Sequence, residues 1–239
     1  MTKKTVSIMQ PYLFPYIGYF QLVNAAKEFV FYDDVNYIKK GWINRNNILV
    51  NGKSHKFTVP LDTPSQFKKI ENTHIKKNLY DIWVTKFLKT IHESYRKAPY
   101  YDEVYFLLEK VFLNSKIESI SDFSSHSIIE TSNYLNFKTN FHFSSIAFSN
   151  SEPLERAERL VSIVSKLEST DYINSIGGVE IYNKPFFMMH NINLSFLDSE
   201  ITTYKQFKND FIPGLSIIDV LMFNGKEEIN EMLKAYKLV

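Results

Sequence analysis

The stretch Val6-Ser7-Ile8-Met9-Gln10-Pro11-Tyr12-Leu13-Phe14-Pro15-Tyr16-Ile17-Gly18-Tyr19-Phe20 constrains the chain more than any other. It opens as a short apolar strand, breaks at Pro11 and re-enters a helix near Gly18. Proline donates no ladder hydrogen bond and fixes its own φ, so Pro11 and Pro15 take the chain out of the sheet as a stiff loop. That loop carries Gln10, Tyr12 and Tyr16, with Tyr19 just beyond it. A strand that ends in such a loop and continues as a helix is where α/β sheets place their ligands.

Phe20 to Ala26 reads as helical, and Phe29-Val30-Phe31-Tyr32 as a second apolar strand ending in the pair Asp33-Asp34. Strand, helix and strand in quick succession imply a right-handed crossover and parallel strands, both of which end on one edge of the sheet. Gln10 and Asp33 are therefore expected to be neighbours at a single rim.

The chain of 239 residues, 44% hydrophobic and 15% aromatic, has enough apolar material for a real core in one domain. A net charge of +2, from 28 basic and 26 acidic residues, offers no broad attraction for nucleic acid or an anionic membrane, so any phosphate binding must be local. With no cysteine, disulfides, thiolate catalysis and cysteine-ligated metal sites are excluded. The opening Met-Thr-Lys-Lys-Thr leads straight into the first strand without a signal-like apolar run, and no later run approaches the ~20 apolar residues of a membrane span. A cytoplasmic protein without a membrane span is the expectation.

Beyond the acids, Val35 to Ile48 is dense in amides, bases and aromatics, and Asn51-Gly52 is a strong hairpin signal with Lys56 to Pro60 as the returning strand. Lys39, Lys40 and Arg45 in that loop could grip phosphate or sugar hydroxyls, although a solvated hairpin looks the same. Apolar residues then recur at helical spacing over Ile82 to Tyr95 and Val104 to Phe112, with a third helix capped by Ser121 and running towards Leu135. Phe141 and Phe143 alternate as a strand does. The remainder returns to α/β texture: a helix over Leu154 to Leu167, a strand over Asp171 to Asn174, a helix over Ile181 to His190, a strand at Leu194 to Phe196 and an amphipathic segment over Ser216 to Phe223. The predicted fold is a single α/β domain over 1–239 with a Rossmann-like parallel sheet, whose two halves are separated by a helical insertion over 73–138 that could cover the site.

The motifs Met9-Gln10-Pro11-Tyr12-x-x-Pro15-x-x-Gly18-Tyr19-Phe20, Asp33-Asp34-Val35-x-Tyr37-x-Lys39-x-x-Trp42-x-Asn44-Arg45, Glu155-Arg156-x-x-Arg159-Leu160, Tyr172-x-x-x-x-Gly177-Gly178-x-x-x-Tyr182 and Tyr204-x-Gln206 with Leu215 to Asp219 together resemble the WbqC-like proteins over nearly the whole chain. The resemblance implies bacterial O-antigen or other surface-polysaccharide biosynthesis, with acyl or aminoacyl transfer to amino sugars. The partner so implied is a nucleotide-linked deoxyamino sugar, and the co-substrate an acyl donor or ATP. In that reading Asp33 or Asp34 takes the proton of an attacking sugar amine. Gln10, Tyr12, Tyr16, Tyr19, Tyr37, Lys39, Trp42, Asn44, Arg45, Arg159, Gly177, Gly178, Tyr182, Gln206 and Asp219 form the binding set.

Other assignments compete residue by residue. Asp33 and Asp34 also suit the cap of a following helix or turn, Arg159 suits a solvated helix face laced by ion pairs, and Asp219 suits either a local cap or a polar site. Gly177-Gly178 permits positive φ and close approach to phosphate, as ordinary turns also do. Tyr16-Ile17-Gly18-Tyr19 has the place and spacing of the His-x-Gly-His turn of nucleotidylyltransferases and pantothenate synthetases without its histidines, which suggests an ATP-dependent amide ligase as a rival. A glycosyltransferase with a metal on the acid pair and a non-catalytic sugar-binding module are further rivals. His55, His74, His92, His126, His142 and His190 show no metal-ligand spacing, so no protein-built metal site is expected.

Overall fold

The computed structural model describes residues 4–114, 117–208 and 210–239; residues 1–3, part of the opening read above as lacking a signal-like run, lie outside them. The first half contributes β1 (Thr5–Met9), α1 (Ile17–Ala25), β2 (Glu28–Phe31), the hairpin β3 (Arg45–Val50) and β4 (Lys53–Thr58), and the helices α2 (Lys77–Tyr95), α3 (Tyr101–Phe112) and α4 (Ile120–Tyr134). There follow β5 (Asn140–Phe143), α5 (Ser144–Ala147), α6 (Arg156–Lys166), β6 (Asp171–Ser175), α7 (Lys184–Met189), β7 (Asn193–Ser199), α8 (Ile217–Phe223), α9 (Lys226–Met232) and β8 (Tyr236–Leu238).

A six-stranded sheet in the order β5-β2-β1-β6-β7-β8 runs through the centre. All its pairs are parallel except β7 with β8. In β1 and β2, Met9 lies beside Phe31, so both strands end on the same edge as expected. From β1 the chain crosses to β2 on one side, whereas β6 crosses to β7 on the other, so the order reverses between β1 and β6. The crossover helices lie on opposite faces accordingly: α1 packs with Phe29, Phe31 and Ile173 in the larger core, and α6 and α7 pack with Val6, Ile8, Val30, Tyr172 and Leu194 in the smaller one. This is a Rossmann-like arrangement.

The alternation along each strand explains the division, because successive side chains face opposite sides of the sheet. Val6 and Ile8 belong to the smaller core, and buried Ser7 points the other way, its hydroxyl donating to the Ile173 carbonyl at 2.9 Å. The helices α2, α3 and α4 fall in the stretch expected to be helical and contribute Val84, Ile91, Val104, Leu108, Phe112 and Ile128 to the larger core, together with α1, the β3–β4 hairpin and α8. The hairpin turns at Asn51 and Gly52, with φ of 51° and 71°, the left-handed pair that such a turn requires.

Several boundaries differ from the sequence reading. The cap of α4 is Ser119, not Ser121: its side chain accepts from the Asp122 N–H and Asp122 answers in a capping box. The helix expected over Ile181 to His190 starts only at Lys184, with Pro185 setting its first turn. Phe141 and Phe143 lie on a strand of the main sheet, where β5 pairs with β2. The short elements α5, α9 and β8 lack a pattern long enough to read from sequence.

Candidate functional site

A cleft of about 670 Å³ opens at the C-terminal edge of the sheet, where the strand order reverses. Its floor and walls come from Met9 and Gln10 at the end of β1, Tyr32 just past β2, Asn174 and Ser175 at the end of β6, and Gly177, Gly178 and Tyr182 in the turn that follows. Arg156 and Leu160 close it from the first turns of α6. Open α/β sheets bind ligands at this place because the diverging crossovers leave a crevice above the strand ends. A shallower depression of about 400 Å³ opens by Thr5 and Lys27, at the opposite edge where the strands begin.

Arg156 is the cationic side chain lining the cleft, and it heads α6, whose positive end adds to its charge. Against it stand the tyrosines Tyr32, Tyr172 and Tyr182 and the amides of Gln10, Asn36 and Asn174. Among the described lining residues there is no carboxylate. Burial pushes the Tyr172 hydroxyl well above the usual phenol range, with Tyr182 and Tyr32 adding to it. Burial also raises Tyr182 and Tyr32, while Arg156 pulls Tyr182 back and Arg159 pulls Tyr32 back. All three are therefore neutral hydroxyls at pH 7. The Tyr172 hydroxyl is buried and pairs with no group among the described residues, an arrangement that native structures rarely leave without a reason.

Gly178 is shaped by packing. A Cβ there would stand 2.9 Å from the Asn174 side-chain nitrogen and 3.2 Å from the Phe196 ring. Neither Gly177 nor Gly178 has positive φ, so the freedom expected of this pair is one of space, and it belongs to Gly178 alone. At Gly177 the nearest atom to such a Cβ would be 4.0 Å away.

The acid pair stands behind the cleft, not in it. Asp33, 2% exposed, accepts from the Ser145 N–H at 3.0 Å, the Ser145 hydroxyl at 2.8 Å and the Ser121 hydroxyl at 3.2 Å. It thereby ties α4 and α5 to the end of β2. Ser144 has one proton for two carboxylates: its oxygen is 2.5 Å from Asp34 and 3.1 Å from Asp33. The other oxygen of Asp34 pairs with the buried Arg159 guanidinium, which also donates to Ser151 at 3.3 Å and lies 4.7 Å from the centroid of the Tyr32 ring. Arg159 is thus not the solvated residue that its helix spacing allows. With its lone pairs taken by serines, Asp33 acts as a bolt between elements, and Asp34 as the counter-charge of Arg159 beneath Tyr32.

The remaining expected residues separate into three places. Tyr12, Tyr16 and Trp42 line a second, smaller pocket of about 140 Å³ on the outer side of the proline loop. Tyr19, Tyr37, Asn44 and Arg45 turn inward on the protein itself. The Tyr19 hydroxyl donates to the Gln10 carbonyl at 2.8 Å, Tyr37 donates to Asn44 at 2.8 Å, and Arg45 donates to the carbonyls of Gly41 and Lys40. Lys39 is exposed on that loop. Gln206 and Asp219 lie far from the cleft in a buried knot, where Tyr95 at 2.7 Å, Tyr204 at 2.6 Å and Gln206 at 2.6 Å all donate to the Asp219 carboxylate. Burial raises the Asp219 carboxyl despite those donors.

Beside Gly18 the space is filled. A Cβ there would meet the Tyr16 ring and the Ser199 hydroxyl, so close packing accounts for the glycine of this turn. No residue of α2, α3 or α4 lines the cleft; these helices cover the opposite face. Among the described residues no cluster of three His, Asp or Glu side chains could hold a metal ion, and no helix is long and apolar enough to cross a membrane. Sequence reasoning did not select Arg156, Tyr32, Asn36, Tyr172 and Asn174, although Arg156 and Tyr172 stand inside the quoted motifs and carried the available signal.

Residues 10–231 match the family model of the WbqC-like protein family. The chain is 27% identical over 231 residues to the uncharacterized protein Rv1507c of Mycobacterium tuberculosis, covering 94% of this chain and 95% of that protein. No solved structure matches.

Proposed function

The chain belongs to the WbqC-like protein family, and from that membership and the cleft at β1 and β6 we propose that it is a transferase of polysaccharide biosynthesis that binds a nucleotide-linked amino sugar there. In the proposed reaction the sugar amine attacks the carbonyl of an acyl or aminoacyl donor; the new N–C bond forms, the donor's leaving group departs and carries the displaced electron pair, and the amine proton passes to it or to solvent. The observation that carries the reading is the cleft's lining at the switch point: a cation at a helix start on one side, neutral hydroxyls and amides on the other, and no carboxylate among the described lining residues to repel a diphosphate.

Arg156 then holds the diphosphate, since guanidinium and helix N-terminus act in the same direction. Gln10, Asn36 and Asn174 supply donors and acceptors for the sugar, and the hydroxyls of Tyr172 and Tyr182 donate to the oxyanion that grows on the attacked carbonyl. Because Asp33 and Asp34 are engaged elsewhere, rate enhancement rests on orientation and on these donors. Titration calorimetry with UDP- and dTDP-linked amino sugars tests binding, and mass spectrometry with acyl-coenzyme A donors tests transfer. Arg156→Ala should weaken binding at least about tenfold and flatten its salt dependence, and Tyr172→Phe should slow transfer while leaving binding and thermal stability unchanged. Binding that is absent across the panel or indifferent to Arg156→Ala, or transfer indifferent to Tyr172→Phe, defeats the reading.

A further inference from the structure

The proline loop is strained and heavily restrained at the same time. Phe14 has φ of +39°, a left-handed conformation that is costly for a bulky residue and persists only where surroundings impose it. Four distant segments impose it here. The Phe14 N–H donates to Ser127 of α4 at 3.0 Å, and its carbonyl accepts from Asn46 of β3 and from Ser216, each at 2.7 Å. Leu13 donates to the Trp42 carbonyl at 3.1 Å. The Phe14 ring itself is buried and stacked on Phe112 at 5.3 Å, so the strain serves the residues around it.

Those neighbours face outward. Tyr12, Pro15 and Tyr16 stand with Trp42 around the pocket of about 140 Å³, and Tyr16 and Trp42 remain 38% and 43% exposed. The Tyr12 hydroxyl, the Tyr16 hydroxyl and the Trp42 indole N–H make no hydrogen bond within the described protein. Burial raises both phenols, and Asp198 raises Tyr16 further, so their protons are held well above neutral pH. Among the described residues that line the pocket none is charged. Aromatic faces with free polar tips, rigidly presented, match a ring that has an apolar C–H face and a polar hydroxyl edge.

We propose that this pocket is a saccharide subsite that takes one neutral pyranose ring, stacked on Trp42 and Tyr16 with its hydroxyls meeting the tips of Tyr12, Tyr16 and Trp42. Gln10 lines the large cleft and Tyr12 the small pocket, so the loop is a wall between two sites. The subsite does not depend on what the cleft holds.

The chain has two tryptophans, and Trp83 stacks on Phe87 within the helical core, which provides an internal control. In ¹⁵N-labelled protein, methyl glucoside, N-acetylglucosamine and methyl fucoside at millimolar concentrations are expected to shift the Trp42 indole signal, assigned with Trp42→Phe, and to leave that of Trp83 in place. Tyr16→Ala should weaken at least one of these sugars about tenfold or more while Arg156→Ala changes nothing. No shift with any pyranoside, a shift with tetramethylammonium alone, or sugar binding indifferent to Tyr16→Ala would each overturn the proposal. None of these probes carries phosphate, so a cleft that fails to bind sugar nucleotides leaves this result untouched, and the reverse also holds.

Discussion

Replacing Arg159 by methionine should unfold the protein more readily than any change of an exposed charge. The guanidinium and the Asp34 carboxylate have side chains 5% and 2% exposed, so water cannot take over for a missing partner. Removing one member of a buried pair typically costs about 3–5 kcal/mol, because the other charge stays buried. Arg159→Met leaves the carboxylate with the Ser144 hydroxyl alone and falls at the upper end of that range. Asp34→Asn falls at the lower end, since its amide oxygen can still accept from the guanidinium and Arg159 keeps Ser151 and the Tyr32 ring. For a chain of this size each kcal/mol moves Tm by about 2–4 °C, which gives a fall of about 6–20 °C. The double variant Asp34→Asn/Arg159→Met, with neither charge left to bury, should recover a large part of the loss. Urea denaturation followed by circular dichroism measures all three. If either single variant lies within about 1 kcal/mol of the parent, or if the double variant equals the sum of the singles, the pair is not the coupled element described.

Asp219 offers a pH test. Its carboxyl is raised on folding, so the native state holds that proton more tightly than the unfolded chain, and its stabilising share is present at low pH and lost as pH rises from about 3.9 through the folded value. Relative to Asp219→Asn, the parent should lose stability in urea midpoints as pH rises from about 4 towards neutrality; a difference that is constant across that whole range contradicts the assignment. Gly178→Ala, with its Cβ pressed on Asn174 and Phe196, should lower Tm by several degrees, whereas Gly177→Ala should shift it by less than about 1 °C. Equal shifts for the two would show that the close approach at Gly178 has no energetic weight. Tyr37→Phe removes the donor to Asn44 and should cost about 1 kcal/mol, read by the same denaturation; a neutral effect would return Tyr37 to the list of residues kept for a ligand.

The sequence was informative where a signal is local. Pro11 and Pro15 ended β1 where β1 does end, Asn51-Gly52 placed the hairpin, and the spacing of Val104, Leu107, Leu108, Val111 and Phe112 placed α3. It was silent where a partner lies far along the chain. Nothing around Asp33 announces Ser144 and Ser145, and nothing around Arg159 announces an acid 125 residues earlier. Helix periodicity predicts which residues share a face, but it cannot distinguish an arginine on a wet face from one on a buried face with a counter-charge. Tyr12 and Gln10 are close in sequence, yet the turn between them sends one to each side of a wall. Tyr172 reads as an ordinary strand aromatic until the structure shows its hydroxyl without a partner.

The anchors of Phe14 are contributed by Asn46, Ser127 and Ser216, the last of them 202 residues away. Contacts over such spans need segments from both halves of the polypeptide, so the shape of residues 12–16 depends on β3, α4 and the start of α8 together. A polypeptide cut short of α8 lacks the Ser216 donor to the Phe14 carbonyl. The backbone at Phe14 therefore couples the proline loop to the C-terminal part of the molecule.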